Sequence, residues 1–234
     1  MSNDRTAPHA VVTGSSGGIG RAIASHLLAQ GWRVSGLDLA APTLSHAGFA
    51  HAAVDLSDAG AIARAAAELQ DADALVHAAG VLRVGPLGQL DHAGGELMWR
   101  LHVDAATRLA DALVPAMAAR GRGRVVFIGS RVAQGLPGRG QYAATKAALI
   151  ALARSWAAEV AASGVTVNVV SPGATQTAML QDPARAGSTP RLPPIGRLIE
   201  PAEIAALVAF LLSAPAAAIT GQDIAICGGA SLHR

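Results

Sequence analysis

A chain of 234 residues is long enough for one domain with a substantial core. Hydrophobic residues make up 51% of it and aromatics 3%, so that core must be built from Ala, Val, Leu and Ile. The formal net charge of +2 comes from 18 Lys+Arg against 16 Asp+Glu, with no basic run, which argues against a nucleic-acid partner.

Cys227 is the one cysteine, so no internal disulfide can form, and a reducing compartment fits. The first residues are polar and lack the apolar stretch of a signal peptide, and no apolar run reaches membrane-spanning length. A soluble cytoplasmic protein with no membrane partner is expected. The eight histidines are scattered, without ligand spacing, and no metal site is assigned.

In chain order, His9 to Thr13 reads as a buried strand that runs into the glycine loop Gly14–Gly20. A helix follows with Ile23, Leu27 and Leu28 on one face, and Gly31 stops it. Trp32 to Leu37 is a strand ending at Asp38, and Phe49 to Val54 a strand ending at Asp55. Ser57 is the expected N-cap of a helix through Ile62, Ala65, Ala66 and Leu69. Asp73 to Ala78 is a fourth strand, ending at Gly80. Strand and helix thus alternate at the spacing of βαβ units, which implies a parallel sheet covered on both faces.

A long helix is expected from about Asp91 to Arg120, interrupted around Asp104 and bent near Pro115. The strand Arg124 to Ser130 follows, then a glycine-rich loop, a helix carrying Tyr142 to about Ser163, and the strand Val165 to Val170 before Pro172-Gly173. Residues 174 to 200 lack a clear period and hold Pro183, Pro190, Pro193 and Pro194; so long an irregular segment reads as a lid. Pro201 opens a helix with Ile204, Leu207, Val208, Leu211 and Leu212, and Asp223 to Ile226 is the last strand. No linker or repeat divides the chain. The expected architecture is a single doubly wound α/β domain with a seven-stranded parallel sheet.

The glycine loop directly follows the first strand and opens the first helix. There, glycines let the backbone approach a pyrophosphate, and the helix offers free N–H groups and a positive dipole end. Asp38, 18 residues after Gly20, can accept the ribose hydroxyls of an adenosine and would repel a 2′-phosphate. No Arg or Lys in Gly14–Gly20 offsets that repulsion, so NAD is expected rather than NADP. Asp55 falls where the adenine edge should lie, or caps the helix after it.

Tyr142 and Lys146 stand one helical turn apart, and Tyr142 is the only tyrosine. At about 4 Å and an effective dielectric near 20, a unit charge is worth roughly 4 kcal/mol. That could lower a phenol from about 10 by up to ~3 units. A phenol so tuned can exchange a proton with an alcohol oxygen.

Thr13-Gly14-x-x-x-Gly18-x-Gly20, Ser130, Tyr142-x-x-x-Lys146 and Asn168-x-Val170-x-Pro172-Gly173-x-x-x-Thr177, in this order, resemble the short-chain dehydrogenase/reductase family. The resemblance implies a Rossmann domain and a homo-tetramer paired through the Tyr142 helix, where Ala147, Ala148 and Ala151 allow close approach. It implies that Tyr142 is the acid/base, that Lys146 lowers its pKa and holds the nicotinamide ribose, and that Ser130 binds the substrate oxygen. It assigns the cofactor to Gly14, Ser16, Gly18, Ile19, Gly20, Asp38, Asp55, Leu56, Ala79, Gly80, Tyr142, Lys146, Pro172, Gly173, Thr175 and Thr177. Ser35-Gly36-Leu37-Asp38, Asp73 to Gly85 and Ile219 to Ile224 are most similar to the family's 2,3-dihydro-2,3-dihydroxybenzoate dehydrogenase branch, which oxidises a cyclic dihydrodiol carboxylate with NAD. Arg83, Arg131 and Arg139 could then meet a carboxylate, or be solvated loop arginines.

Three departures accompany the resemblance. His77-Ala78-Ala79-Gly80 stands where the family has an asparagine motif, and His77 is expected to be a satisfied core histidine. The asparagine of the long helix, which helps hold a water linking the lysine to solvent, is matched to Asp104 within Leu101-His-Val-Asp-Ala105 and placed in the proton relay. Ser130 precedes Tyr142 by 12 residues, one fewer than usual, with Gly135, Gly138 and Gly140 available to absorb the difference. The expected activity is hydride transfer between NAD and a secondary alcohol or ketone, or a cyclic dihydrodiol. The alternatives are an NADP-dependent carbonyl reductase and a non-catalytic dinucleotide-binding sensor.

Overall fold

Seven strands are laid down by the apolar runs: β1 (His9–Thr13), β2 (Arg33–Asp38), β3 (Phe49–Ala53), β4 (Ala74–His77), β5 (Gly123–Ile128), β6 (Val165–Pro172) and β7 (Asp223–Ile226). The computed structural model describes residues 7–181 and 192–232. All seven strands are parallel, in the order β3-β2-β1-β4-β5-β6-β7. β1, β4 and β6 are buried along their whole length, because helices cover both faces. This is the doubly wound architecture expected from the sequence.

Alternation along the strands divides the core in two. Val11, Leu75, Val125 and Val167 face helices α2 (Ala59–Ala67), α4 (Ala105–Ala119) and α5 (Gly140–Val160), which contribute Ile62, Leu109, Leu113 and Leu149. Ala10, Val12, Val76 and Val126 face α1 (Gly18–Ala29) and α6 (Pro201–Leu212), with Ile23, Leu27, Ile204 and Val208. Phe127 is the one aromatic among the largest fully buried side chains, consistent with an aliphatic core.

The helix ends show where local chemistry differs from expectation. The N-cap of α2 is Asp58, which accepts from the Ala61 N–H at 2.9 Å, not Ser57. Ser57 instead donates its N–H and O–H to Asp55 Oδ1, at 2.8 and 2.7 Å. The long helix comes in three pieces: α3 (His92–Trp99), one wide π turn (Arg100–Asp104), and α4, which holds Pro115. Pro201 opens α6 as expected, with Glu203 accepting from the Glu200 N–H at 2.8 Å and gripping Arg197 at 2.7 and 2.9 Å. β6 runs on to Pro172 because Ser171 and Pro172 still pair with β7.

Of the expected lid at 174 to 200, residues 182–191 lie outside the described residues. Its described ends meet at an isolated bridge between Thr175 and Ile199. The Gln176 N–H donates to Ile199 O and the Ile199 N–H to Ala174 O, both at 2.9 Å. Among the described residues no helix is long and apolar enough to cross a membrane.

One buried side chain fastens the last strand to the sheet. Asn168 donates to Ile219 O at 2.7 Å and accepts from the Gln222 N–H at 3.1 Å, holding the turn that leads into β7. Losing both bonds leaves two backbone groups unpaired, at about 1–3 kcal/mol. With about 2–4 °C per kcal/mol for a chain of this size, Asn168→Ala should lower Tm by roughly 2–12 °C in a thermal melt.

Candidate active site

The strand order reverses between β1 and β4, so the loops at their C-terminal ends diverge and leave a crevice. The crevice is closed at its base by close backbone approach. Gly14 has φ +68°, and a Cβ there would sit 2.9 Å from Ala79 Cα and N. A Cβ on Gly20 would sit 2.1 Å from Gly14 O. Thr13 Oγ1 accepts from the Ala78 and Ala79 N–H groups, each at 3.0 Å. Above this cradle, α1 begins at Gly17 with no side-chain cap and no acid in its first turn. That is a helix end whose orphan donors suit phosphate oxygens. A dinucleotide therefore fits here.

Asp38, at the end of β2, is fixed by its own neighbours. Oδ2 accepts from the Ser16 N–H and Oδ1 from the Ala40 N–H, both at 2.9 Å. Ser16 Oγ donates to Ala40 O, and Thr43 Oγ1 donates to Ser16 O. The carboxylate is thus laced to the glycine loop, and neither loop carries a lysine or arginine up to Gly20 or between Leu39 and Gly48. Asp55 is exposed, and its bonds from Ser57 hold its carboxyl below the usual range. Leu56 is buried in the core, and neither residue lines the main cleft.

That cleft, of about 410 Å³, opens beyond the ends of β4, β5 and β6. Ile19, Gly80, Ser130, Tyr142, Lys146, Pro172, Gly173, Thr175 and Thr177, all expected at the site, line it. The short Ser130–Tyr142 spacing closes because Gly135 and Gly138 take φ of +100° and +73°. Ser130 Oγ accepts from the Val132 N–H at 3.1 Å, which leaves its O–H proton for the cleft. Arg131 and Arg139 also line the wall. Arg83 does not; its guanidinium donates to Leu82 O at 3.0 Å.

Lys146 is the only lysine in the chain; every other basic long side chain is arginine. It is 5% exposed and donates to Ile128 O at 2.9 Å, and its Nζ lies 5.8 Å from the centre of the Tyr142 ring. Burial pushes its pKa down to about 7.

Two buried histidines flank this lysine, and hydrogen-bond accounting fixes the tautomer of each. The lone pairs of Thr13 Oγ1 are taken by two amides, so its O–H donates to His77 Nδ1 at 3.0 Å, and His77 Nε2–H donates to Leu101 O at 3.0 Å. His77 is a satisfied core histidine, as expected, and burial with the nearby Lys146 charge lowers its pKa to about 3. His102 Nε2 accepts from the Val81 N–H at 3.1 Å, and Nδ1–H donates to Thr145 Oγ1 at 2.8 Å, which in turn donates to Tyr142 O at 2.8 Å. Burial and Lys146 hold His102 well below its ordinary pKa.

His102 corrects the placement of Asp104. The Asp104 carboxylate turns outward to Arg108 Nε at 2.8 Å, a solvated i,i+4 pair, and does not line the cleft. His102 is the residue that faces it, edge-on to Tyr142 with ring centroids 5.6 Å apart. The signal was in the stripe Met98, Ala105, Ala106, Leu109 and Leu113, whose helical spacing runs through position 102 and not 104. Gly80 is coupled to the same ring, since a Cβ there would lie 2.7 Å from His102 Nε2.

Residues 14–231 match a family described as enoyl-(acyl carrier protein) reductase. The chain is 38% identical to the 3-oxoacyl-(acyl-carrier-protein) reductase FabG of Escherichia coli, over 94% of this chain and 96% of that protein. It is 32% identical to the 2-keto-3-deoxy-L-fuconate dehydrogenase of Xanthomonas campestris, over 94% and 78% respectively. A solved structure described as a short chain dehydrogenase/reductase family protein superposes with a TM-score of 0.88 at 36% identity, covering 97% of this chain and 98% of that one. These relatives do not single out the dihydrodihydroxybenzoate branch.

Two outcomes follow from the geometry. Asp104→Asn should leave the pH–rate profile unchanged, because its carboxylate meets only Arg108 and solvent. Lys146 binds its proton less tightly folded (about 7) than unfolded (10.5), so the unfolded chain holds more protons between those values and stability rises with pH across that window. Lys146→Met should therefore raise Tm at pH 7 and flatten the rise toward pH 10 in parallel melts.

Proposed function

The chain belongs to the short-chain dehydrogenase/reductase family and is an oxidoreductase, and on that footing we propose that it moves a hydride between NAD and a secondary alcohol or its ketone, cyclic dihydrodiols included. The observation that carries the cofactor choice is the Asp38 carboxylate, held by two amides beside the glycine loop, with no Arg or Lys in Gly14–Gly20 or between Leu39 and Gly48 to receive a 2′-phosphate. Gly14, Ser16, Gly18, Ile19 and Gly20 would hold the phosphates, Asp38 the adenosine ribose, and Asp55 with Leu56 the adenine edge. Ala79, Gly80, Pro172, Gly173, Thr175 and Thr177 would seat the nicotinamide half. Bound there, the cofactor supplies the hydride acceptor or donor.

The remaining work falls to three side chains. Ser130 donates its O–H to the substrate oxygen, a contact of the kind worth about 10²–10³ in rate. The Tyr142 phenolate takes the alcohol proton during oxidation, and the resulting phenol returns it during reduction, worth about 10²–10⁴. Lys146 places a cation one turn from that phenol and holds the nicotinamide ribose. A chain that uses arginine everywhere else retains a compact, titratable ammonium at this one position. Met179 and Leu180, in the described start of the 174–200 segment, line the cleft wall, which supports the reading of that segment as a lid. The exposed Ala147 and Ala151 on α5 support the homo-tetramer implied by the family.

A second reading is an NADP-dependent carbonyl reductase, whose reaction is favoured by the Escherichia coli relative named as a 3-oxoacyl-(acyl-carrier-protein) reductase. Paired fluorescence titrations separate the two. NADH should bind at least ~10-fold tighter than NADPH, and Asp38→Ala should erase that margin, in keeping with a charge contact worth a few kcal/mol. An NADPH preference in the native protein sinks the NAD reading. Tyr142→Phe should lower kcat by about 10²–10⁴ on an alcohol or ketone panel.

A further inference from the structure

We propose that the cleft selects a substrate carrying a carboxylate, and that Arg131 is the residue that reads it. The proposal rests on the oxidoreductase reading above and names its substrate class. Arg131 directly follows Ser130 and opens the short turn Arg131–Gln134, whose start is fixed by the bond from the Val132 N–H to Ser130 Oγ. Its place relative to the substrate-binding serine is therefore set by backbone geometry. It is half-buried and lines the cleft.

The charge balance there is one-sided. No Asp or Glu is among the described residues lining the cleft. Elsewhere, arginines find partners: Arg33 meets Asp71, Arg108 meets Asp104, Arg122 meets Asp73 and Arg197 meets Glu203. Arg120 and Arg124 donate to backbone carbonyls. The other arginines that have no such partner among the described residues, Arg21, Arg64 and Arg154, are exposed. Arg139, the second arginine on the wall, is already engaged within the protein. Arg131 alone joins partial burial, a place on the cleft wall and the lack of an acceptor among the described residues.

A guanidinium so placed presents a planar fork that matches a carboxylate bidentately. Around it, Leu82, Val132, Leu136, Pro137, Met179 and Leu180 make the walls apolar. The ligand these surfaces fit is a small amphipathic acid: an apolar body, a carboxylate against Arg131, and a hydroxyl or keto carbon against Ser130 and Tyr142.

Benzoate and its neutral isostere benzamide test this without knowledge of the natural substrate. Both are titrated calorimetrically into the native protein, Arg131→Met and Arg139→Met, with and without saturating NADH, and NADH affinity is measured on the same samples. Benzoate should bind the native protein at least tenfold tighter than benzamide. Arg131→Met should abolish the preference with NADH affinity unchanged, and Arg139→Met should keep it. Equal binding of the two probes, no benzoate binding at millimolar concentration, a preference that survives Arg131→Met, or one lost in Arg139→Met each overturns the proposal. A native protein that does not bind NADH sinks the cofactor reading separately, because the probe ratio without nucleotide still decides the role of Arg131.

Discussion

An ammonium held out of water at the open end of a parallel sheet is the constraint on which this site depends. Lys146 is buried, its hydrogen bond goes to a backbone carbonyl, and no carboxylate lies among the described residues of the cleft to neutralise it. A charge in that position is held at a penalty, seen in its fall toward pKa 7, and the fold must supply that penalty from elsewhere. The aliphatic core on either face of the sheet is the source. Groups kept against their own solvation preference cluster at functional sites.

The surroundings of Lys146 are arranged to be polar without being charged. His77 and His102 are both buried, both neutral, and both use their two ring nitrogens fully. Any proton gained by either would face an N–H or O–H donor or the lysine charge. Their rings act as rigid two-ended connectors. His77 ties the end of β1 to the wide turn between α3 and α4. His102 ties the same turn to the strand end at Val81 and, through Thr145, to the backbone of Tyr142. The π turn itself makes this possible, since its irregular backbone leaves Leu101 O in reach of His77. Tyr142 is thus oriented by three elements that meet only in the folded chain.

The cofactor half follows a different logic, that of close approach. Gly14, Gly20 and Gly36 are surrounded so tightly that a Cβ at any of them would collide with backbone or side-chain atoms. The helix end at Gly17 and the carboxylate of Asp38 are then set by the same loop, with the Ser16 N–H shared between loop and strand end. The glycine loop and the Asp38 carboxylate are one structural feature and not two.

Much of this was legible in the sequence. Short apolar runs gave the seven strands, most cleanly β1 and β4, where burial on both faces leaves no polar alternation; the glycine string after the first run gave the crevice; and Tyr142, Lys146 and Ser130 were placed at the cleft because their chemistry and spacing are local. What the sequence left open was decided by partners distant in the chain. Asp104 was matched to the family's asparagine, while the choice between helix faces was made by packing of Met98, Ala105 and Leu109 in the interior. One local choice was open as well: Ser57 yielded the cap of α2 to Asp58, its own hydroxyl going to Asp55. The tautomers of His77 and His102 depend on groups 21 to 64 residues away, the depressed Lys146 ammonium on desolvation, and the lack of an acceptor for Arg131 among the described residues on which loops meet at the cleft. Sequence determines which chemistry the chain carries; only tertiary structure decides which of those groups share a dry cleft, because burial and hydrogen-bond supply are properties of the folded chain.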